Sequence, residues 1–219
     1  MSESGRTSPL RIAVLGAGRV GGTLGRRWAE LGHDVVFGVR DPGRPRPDLG
    51  PAPLLASPAD AVRGADIVLV SLPWAATEDV LRSVDVGSAV VVDATNPLAA
   101  GARELQDDPR LSGAELVAGW TGSRRVTKAF NTTGSANMAD PRYLGATPVL
   151  PIAGDDAEAK VLVAELARSL GLDPVDAGPL AAARDLEHLA ALWIRLAYPL
   201  GNGPDIAFAL LRRTPADDR

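Results

Sequence analysis

The sequence contains no cysteine, two histidines, few aromatic residues and no strong excess of charge. Without cysteine the chain cannot form disulfides, a thiolate nucleophile or a zinc–thiolate site. Its formal net charge of −4 gives no reason to expect binding to nucleic acid or to a membrane. The longest apolar runs are far shorter than a membrane span, and residues 1–9 lack the apolar core of a signal peptide. These absences suggest a cytoplasmic protein whose partner is a small molecule.

Strand-like and helix-like segments alternate along the chain. Strands are predicted over residues 10–15, 34–39, 66–72, 89–94, 125–130, 147–153 and 174–176. Helices are predicted over residues 19–31, 58–62, 74–83, 112–120, 155–170, 185–197 and 205–212, with an irregular loop over 41–53. This alternation predicts an α/β fold with a doubly wound, parallel Rossmann-type sheet and helices on both faces.

The predicted elements fall into two parts. We expect the Rossmann-type domain over residues 10–145 and a small C-terminal α/β extension over residues 146–213, which is a candidate dimerisation region. Residues 1–9 and 214–219 are polar and are expected to be flexible ends.

The segment GAGRVG fits the pattern G-x-G-x-x-G, between a predicted strand and a predicted helix. In a dinucleotide site, Gly16 permits the tight turn, Gly18 lets the pyrophosphate approach the backbone, and Gly21 lets the helix pack on the strand. The alternative is a glycine-rich turn without a ligand. The strand–turn–helix context favours a dinucleotide site formed by Gly16, Ala17, Gly18, Arg19, Val20 and Gly21.

The end of the second strand indicates which dinucleotide is bound. Sites for NAD usually place an acidic residue there, but this chain has Gly38 and Val39, followed by Arg40. Arg44 and Arg46 lie in the next loop. A guanidinium can hold a 2′-phosphate by charge-assisted hydrogen bonds, so these arginines favour NADP over NAD. The alternative is that Arg40 is a solvated loop cation.

Five further segments follow in order: VSLPWAATEDVL, VVDATNPL, TKAFNTTGSANMADP, DAGPLAAARDLEHLAALWIRLA and GPDIAFALLRR. Together with the glycine loop they resemble the F420-dependent NADP oxidoreductases over residues 10–213. A more distant resemblance is to the NADPH domain of the STEAP metalloreductases. Where many relatives have serine, this chain has Val39.

The resemblance implies hydride exchange between NADP(H) and the deazaflavin F420, in a homodimer. It implies that residues 16–20 hold the pyrophosphate and that Val39 and Arg40, with Arg44 nearby, flank the 2′-phosphate. The other implied positions are Leu72, Pro73 and Trp74 beside the nicotinamide ribose, Asn96 and Pro97 in the nicotinamide pocket, and Asn131, Thr132 and Thr133 at the floor that faces the acceptor. Packing for Trp74 and turn formation for Asn131 are the structural alternatives.

The predicted strand ends carry no convincing acid–base pair. Hydride transfer between two flat rings does not need one, whereas carbonyl reduction needs a positioned proton donor. The few candidates are interpreted as structural: Lys128 in a salt bridge or at a strand edge, Lys160 at a surface, His33 in a turn and His188 on a helix. No metal site is expected. The alternatives are NADPH-dependent reduction of a flavin, quinone, metal complex or biosynthetic intermediate, and an NADP(H)-binding sensor without turnover.

Overall fold

Eight strands and seven α-helices alternate in the part of the chain that the computed structural model describes, which is residues 8–51, 53–98, 105 and 110–213. The strands are β1 (Arg11–Leu15), β2 (Asp34–Gly38), β3 (Leu54–Ala56), β4 (Ile67–Val70), β5 (Val90–Asp93), β6 (Val126–Lys128), β7 (Val149–Gly154) and β8 (Asp173–Gly178). The helices are α1 (Arg19–Glu30), α2 (Pro58–Ala61), α3 (Trp74–Arg82), α4 (Gly113–Thr121), α5 (Ser135–Ala139), α6 (Ala157–Ser169) and α7 (Ala183–Ala197). Among these residues, no helix has the length and apolarity needed to cross a membrane.

All eight strands form one sheet in the order β3-β2-β1-β4-β5-β6-β7-β8. The first six in this order are mutually parallel and have the strand order of a doubly wound dinucleotide-binding fold. The predicted α/β fold class is therefore confirmed. From β1 the chain adds β2 and β3 on one side of the sheet and then adds β4 on the other side. At this switch point a crevice opens beyond the carboxyl ends of β1 and β4.

Both faces of the sheet are covered by helices. The side chains of β4 alternate between two apolar clusters, with Ile67 and Leu69 in one and Val68 and Val70 in the other. The first cluster includes residues of α1, α5 and α6, and the second includes residues of α2, α3, α4 and α7. Burial on both sides explains why this strand is apolar throughout rather than alternating with polar residues.

The prediction of a parallel sheet is wrong for one strand pair, because β7 runs antiparallel to β6. The connection between them contains only the short helix α5, which is followed by residues 140–148 without helix or strand. A parallel pair needs a crossover, usually helical, that returns the chain to the other end of the sheet. Residues 129–148 contain no helix long enough to do this, so β7 starts at the edge where β6 ends. Strands β7 and β8 extend the same sheet, and the domain boundary near residue 145 stays a prediction.

Three other local predictions need correction. The helix predicted over residues 205–212 is absent: this segment has no regular secondary structure, and its Phe208 carbonyl accepts from the Val149 amide at 2.9 Å. Tertiary hydrogen bonds thus replace those of a helix. Strand β3 and helix α5 were not predicted, since both are too short to show a periodicity. The predicted flexible ends lie outside the described residues, apart from 8 and 9.

Candidate cofactor-binding site

The carboxyl ends of β1, β4, β5 and β6 meet at one edge of the sheet, because these strands are parallel neighbours. The segments that follow them are the glycine loop, residues 71–74, residues 94–97 and residues 129–134. Sequence-predicted site residues from four distant parts of the chain therefore converge on this edge.

The glycine loop is shaped by close backbone contacts. Gly16 has a positive φ of +96°, and a Cβ on it would lie 2.7 Å from the carbonyl oxygen of Ser71. A Cβ on Gly21 would collide with the Gly16 carbonyl and the Ser71 hydroxyl. Ser71 donates its hydroxyl to the Gly16 carbonyl at 2.8 Å and so ties this loop to the end of β4. The predicted steric requirements at Gly16 and Gly21 agree with this geometry.

The start of α1 is open to a ligand. Its N-cap residue, Gly18, is exposed, and a Cβ on it would have no protein atom within 4 Å. No side chain caps this helix, and its first turn carries no acidic residue. Arg19 is exposed and Val20 is half-buried, while Ala17 is buried. An uncapped helix N-terminus attracts an anion through its N–H groups and its positive dipole end.

An arginine-lined pocket of about 680 Å³ lies directly after β2. It contains Val39, Arg40, Arg44 and Arg46. Arg40 and Arg44 are exposed, and neither forms an ion pair with any described residue. The role of these two guanidiniums in holding a phosphate stays a prediction.

Arg46 differs from the other two arginines of this pocket. Its guanidinium forms two hydrogen bonds with the Asp48 carboxylate, at 3.0 and 2.8 Å, and also donates to the carbonyl oxygen of Ala17. The hydrogen bond with Asp48 raises the pKa of Arg46 and lowers that of Asp48. Arg46 thus connects the pocket to the glycine loop, a role that sequence spacing alone does not reveal.

The start of α3 also borders the site. Leu72 is half-buried, Pro73 is exposed, and the ring of Trp74 lies against Trp120 with a centroid distance of 5.2 Å. A Cβ on Gly113 would lie 3.2 Å from the Trp74 ring and 3.3 Å from Pro97. Trp74 therefore packs between α3 and α4 and also borders the loop that follows β5.

Two asparagines pair across the loops that follow β5 and β6. Asn131 donates its side-chain amide to the side-chain oxygen of Asn96 at 3.0 Å and to the Leu186 carbonyl at 3.1 Å. Asn96 donates back to the main-chain carbonyl of Asn131 at 3.2 Å. The Oδ1 atom of Asn131 is buried and has no hydrogen-bond partner among the described residues. An unsatisfied buried acceptor is destabilising unless a further donor, such as a ligand, pairs with it.

The backbone just before Asn131 is strained. Phe130 has a positive φ of 61°, a conformation that is unfavourable for a bulky residue. Its ring is buried and packs edge-on against Trp28, with a centroid distance of 5.7 Å. Such strain persists where the surroundings hold it in place, and it is concentrated at functional sites.

Thr132 and Thr133 are buried behind Asn131. The Thr133 hydroxyl accepts from Asn137 at 2.7 Å, and Asn137 also donates to the Ile206 carbonyl at 2.7 Å. The irregular segment after α7 is therefore attached to the loop that carries the predicted acceptor residues.

The candidate proton donors have structural partners. Lys128 is completely buried between Asp93 and Glu187, and Lys160 is paired with Asp176. His33 accepts from the Leu10 amide at 3.2 Å, and burial lowers its pKa. His188 is exposed, and its Nδ1 lies 2.8 Å from the Arg184 carbonyl. Within the described ranges, no group of three or more His, Asp or Glu side chains is placed to hold a metal.

Comparisons with known proteins agree with this geometry. The family model described as "NADP oxidoreductase coenzyme F420-dependent" matches residues 11–97. A proposed F420-dependent NADP reductase from Arthrobacter sp. FB24 is 32% identical, with a TM-score of 0.80, and the match covers 93% of this chain and 100% of that one. A hypothetical protein from Sinorhizobium meliloti is 29% identical, with a TM-score of 0.72, over 93% of this chain and 96% of that one.

A curated relative, Metalloreductase STEAP3 of Rattus norvegicus, is 33% identical over 194 residues. The match covers 86% of this chain but only 38% of that protein's length. The mostly parallel sheet, the glycine loop and the similarity along the whole Arthrobacter chain lead to one conclusion: this protein belongs to the family of F420-dependent NADP oxidoreductases.

Proposed function

We propose that the protein binds NADP(H) at the carboxyl edge of the sheet and exchanges a hydride with F420 or a similar planar acceptor. The observation that carries this proposal is the buried, unpartnered Oδ1 of Asn131, at the same edge as the uncapped start of α1. A carboxamide N–H, such as that of nicotinamide, is the type of donor that this oxygen lacks. The arginine-lined pocket after β2 suits the 2′-phosphate.

Each part of the cofactor has proposed contacts in this arrangement. The pyrophosphate would lie on residues 16–21, and the 2′-phosphate would contact Arg40 and Arg44 beside Val39. The ribose and the nicotinamide would contact Leu72, Pro73, Trp74, Asn96 and Pro97. Asn131 would lie between the two rings: its Oδ1 would accept from the nicotinamide carboxamide, and the acceptor would lie against the loop formed by Asn131, Thr132 and Thr133.

When bound, the nicotinamide supplies or accepts the hydride. The balanced exchange is NADPH + F420 + H⁺ ⇌ NADP⁺ + F420H₂, with the proton taken from water. The side chains then have to orient the two rings and exclude solvent, because proximity accounts for much of the rate in such a transfer. Lys128 does not supply the proton, since its side chain is completely buried in ion pairs.

A second candidate differs only in the acceptor. The 33% identity to a protein named as a metalloreductase favours reduction of a metal complex supplied from outside the chain. Flavins are a further planar acceptor to test. Quinones belong to the same group of one- or two-electron acceptors and are tested in parallel.

The experiment is to mix the purified protein with NADPH and, separately, with F420, FMN, a quinone and a ferric chelate, and to follow the absorbance of donor and acceptor. Reduction of F420 with matched loss of NADPH is the expected result. Turnover with flavin or ferric chelate but not with F420 would support the second candidate. Binding of NADPH without oxidation by any acceptor would contradict both and indicate a sensor without turnover.

We also propose that the protein is a homodimer. Light scattering on the purified chain should give twice the mass of one chain at micromolar concentration, and a monomer mass would contradict the proposal.

A further inference from the structure

A buried network of three charged residues lies just behind the candidate nicotinamide pocket. Lys128, at the end of β6, lies 2.9 Å from Asp93 at the end of β5 and 2.8 Å from Glu187 on α7. The exposed fractions of the three side chains are 0% for Lys128 and Asp93 and 4% for Glu187. We call these three residues the charge network.

The other contacts of both carboxylates are with hydrogen-bond donors. Asp93 accepts from the amide and the hydroxyl of Thr95 at 2.9 and 2.7 Å, and Glu187 accepts from the Gly113 amide at 3.2 Å. Donors stabilise the ionised form of a carboxylate. Burial lowers the pKa of Lys128, but the attraction of Asp93 and Glu187 outweighs it, and the net shift is upward. Two carboxylate side chains and one ammonium give the charge network a formal net charge of −1, and the other described contacts of the two carboxylates are all with hydrogen-bond donors.

Such a network is not needed for stability alone. Replacing a buried ion pair with well-packed apolar side chains is often neutral or stabilising, because burial removes the hydration of each charge. Stability therefore does not by itself account for charged residues at this position, and a role in the adjacent site is the alternative.

The charge network is linked to the candidate nicotinamide pocket in two ways. A Cβ on Gly113 would lie 2.9 Å from the Glu187 carboxylate and 3.3 Å from Pro97, so the carboxylate and the proline border the same point. The residue preceding Glu187 is Leu186, whose carbonyl accepts from Asn131. One turn of α7 thus carries both the Glu187 carboxylate and the Leu186 carbonyl that accepts from Asn131.

We propose that the charge network lowers the reduction potential of the bound nicotinamide, with Glu187 as the positioning residue. This inference rests on the proposed binding of NADP(H). The oxidised nicotinamide ring carries a positive charge and the reduced ring is neutral, so a nearby net negative charge stabilises NADP⁺ relative to NADPH. With this contribution, bound NADPH is a stronger hydride donor than it would be without the charge network.

The test measures the dissociation constants of NADP⁺ and NADPH separately, by calorimetry on the folded full chain, with no acceptor present. The variant Glu187→Gln removes the extra negative charge at nearly constant size. It should weaken NADP⁺ by about tenfold while NADPH changes by less than about twofold. A tenfold change in this ratio corresponds to a rise of about 30 mV in the potential of the bound two-electron couple.

Two control variants separate charge from packing. Glu187→Asp keeps the charge, so the ratio of the two dissociation constants should stay near the wild-type value even if the protein is less stable. Glu78→Gln removes an exposed carboxylate that is paired with Arg82, and it should leave the ratio unchanged. Equal effects of Glu187→Gln on both ligands, or the same ratio change in Glu187→Asp, would overturn the inference.

If Glu187→Gln does not fold, Asp93→Asn removes the same charge from the other side of Lys128 and should change the ratio in the same direction. The test is the change in this ratio between wild type and variant, and an unchanged ratio in Asp93→Asn would refute the inference. If neither nucleotide binds, the proposed function fails together with it. If both bind but F420 is not reduced, only the proposed acceptor fails.

Discussion

Asn131 and Asn96 form a reciprocal pair across two loops: the Asn131 side-chain amide donates to Asn96 Oδ1 at 3.0 Å, and the Asn96 amide donates to the Asn131 carbonyl at 3.2 Å. Because both donated hydrogens of Asn131 have acceptors, its orientation is determined, and its Oδ1 is the atom left without a partner among the described residues. The free acceptor thus results from the pairing of the two loops.

Replacement of Asn131 should therefore lower the catalytic rate by more than a loss of folding stability explains. We expect Asn131→Ala to lower kcat/KM for NADPH oxidation by about tenfold or more, because the variant loses an oriented acceptor and leaves Asn96 unpaired. Asn202→Ala is the matched control, since Asn202 is exposed and its side chain bonds the Leu196 carbonyl, away from the site. Steady-state kinetics with the best acceptor checks this, and equal values for the two variants would contradict it.

Variants of Arg40 and Arg44 should show whether these arginines bind the 2′-phosphate of NADP(H) rather than its pyrophosphate. We expect Arg40→Ala and Arg44→Ala each to weaken NADPH by about tenfold and NADH hardly at all, since only NADPH carries the 2′-phosphate. The difference in NADPH affinity between the wild type and these variants should be smaller at high salt. Arg63→Ala, which removes an exposed arginine paired with Asp60, is the charge-matched control.

Arg46 should behave differently from its two neighbours. Because it bonds Asp48 and the Ala17 carbonyl of the glycine loop, Arg46→Ala should weaken NADPH and NADH by similar factors. Titrations that follow nucleotide fluorescence give both dissociation constants. Selective loss of NADPH in Arg46→Ala would assign this arginine to the 2′-phosphate instead.

A methyl group at Gly21 should disrupt the loop. Its Cβ would collide with the Gly16 carbonyl and the Ser71 hydroxyl, so Gly21→Ala should lower the free energy of unfolding by about 1–3 kcal/mol and abolish NADPH binding. Gly119→Ala is the control, because Gly119 lies in α4 with open space around its Cβ position. That change should stabilise the protein by about 0.5–1 kcal/mol and leave binding intact. Urea unfolding and calorimetry measure the two effects.

Stability should depend on pH through His33. Burial lowers its pKa in the folded state from 6.5, so the unfolded chain binds more protons below that pH. The stabilising contribution is therefore complete above about pH 6.5 and is lost as the pH falls through the folded-state pKa. We expect Tm to fall between about pH 7 and pH 5 in the wild type and to fall less in His33→Gln. Parallel slopes in the two proteins would show that another group is responsible.

The local sequence pattern was sufficient to predict most elements of the sheet. The buried run of β4 and the glycine loop depend on neighbours close in sequence and on steric rules that hold in any fold. The direction of β7 was not predictable in this way, because it depends on how residues 129–148 leave the carboxyl edge. The irregular segment after α7 was also missed, since its hydrogen bonds go to Val149, Asn137 and Trp193 rather than to itself.

The sequence by itself determined the dinucleotide loop, the doubly wound α/β class and the absence of an acidic residue where Arg40 follows β2, because each depends on residue type at a fixed local spacing. Only the tertiary structure decided that Lys128 is enclosed by Asp93 and Glu187, that Asn131 pairs with Asn96, and that Arg46 is bound by Asp48 and Ala17. Charged and polar side chains bond to whatever the folded chain brings within about 3 Å, and most of these partners are tens of residues away along the sequence. The bonding partners of these side chains therefore follow from the topology of the sheet.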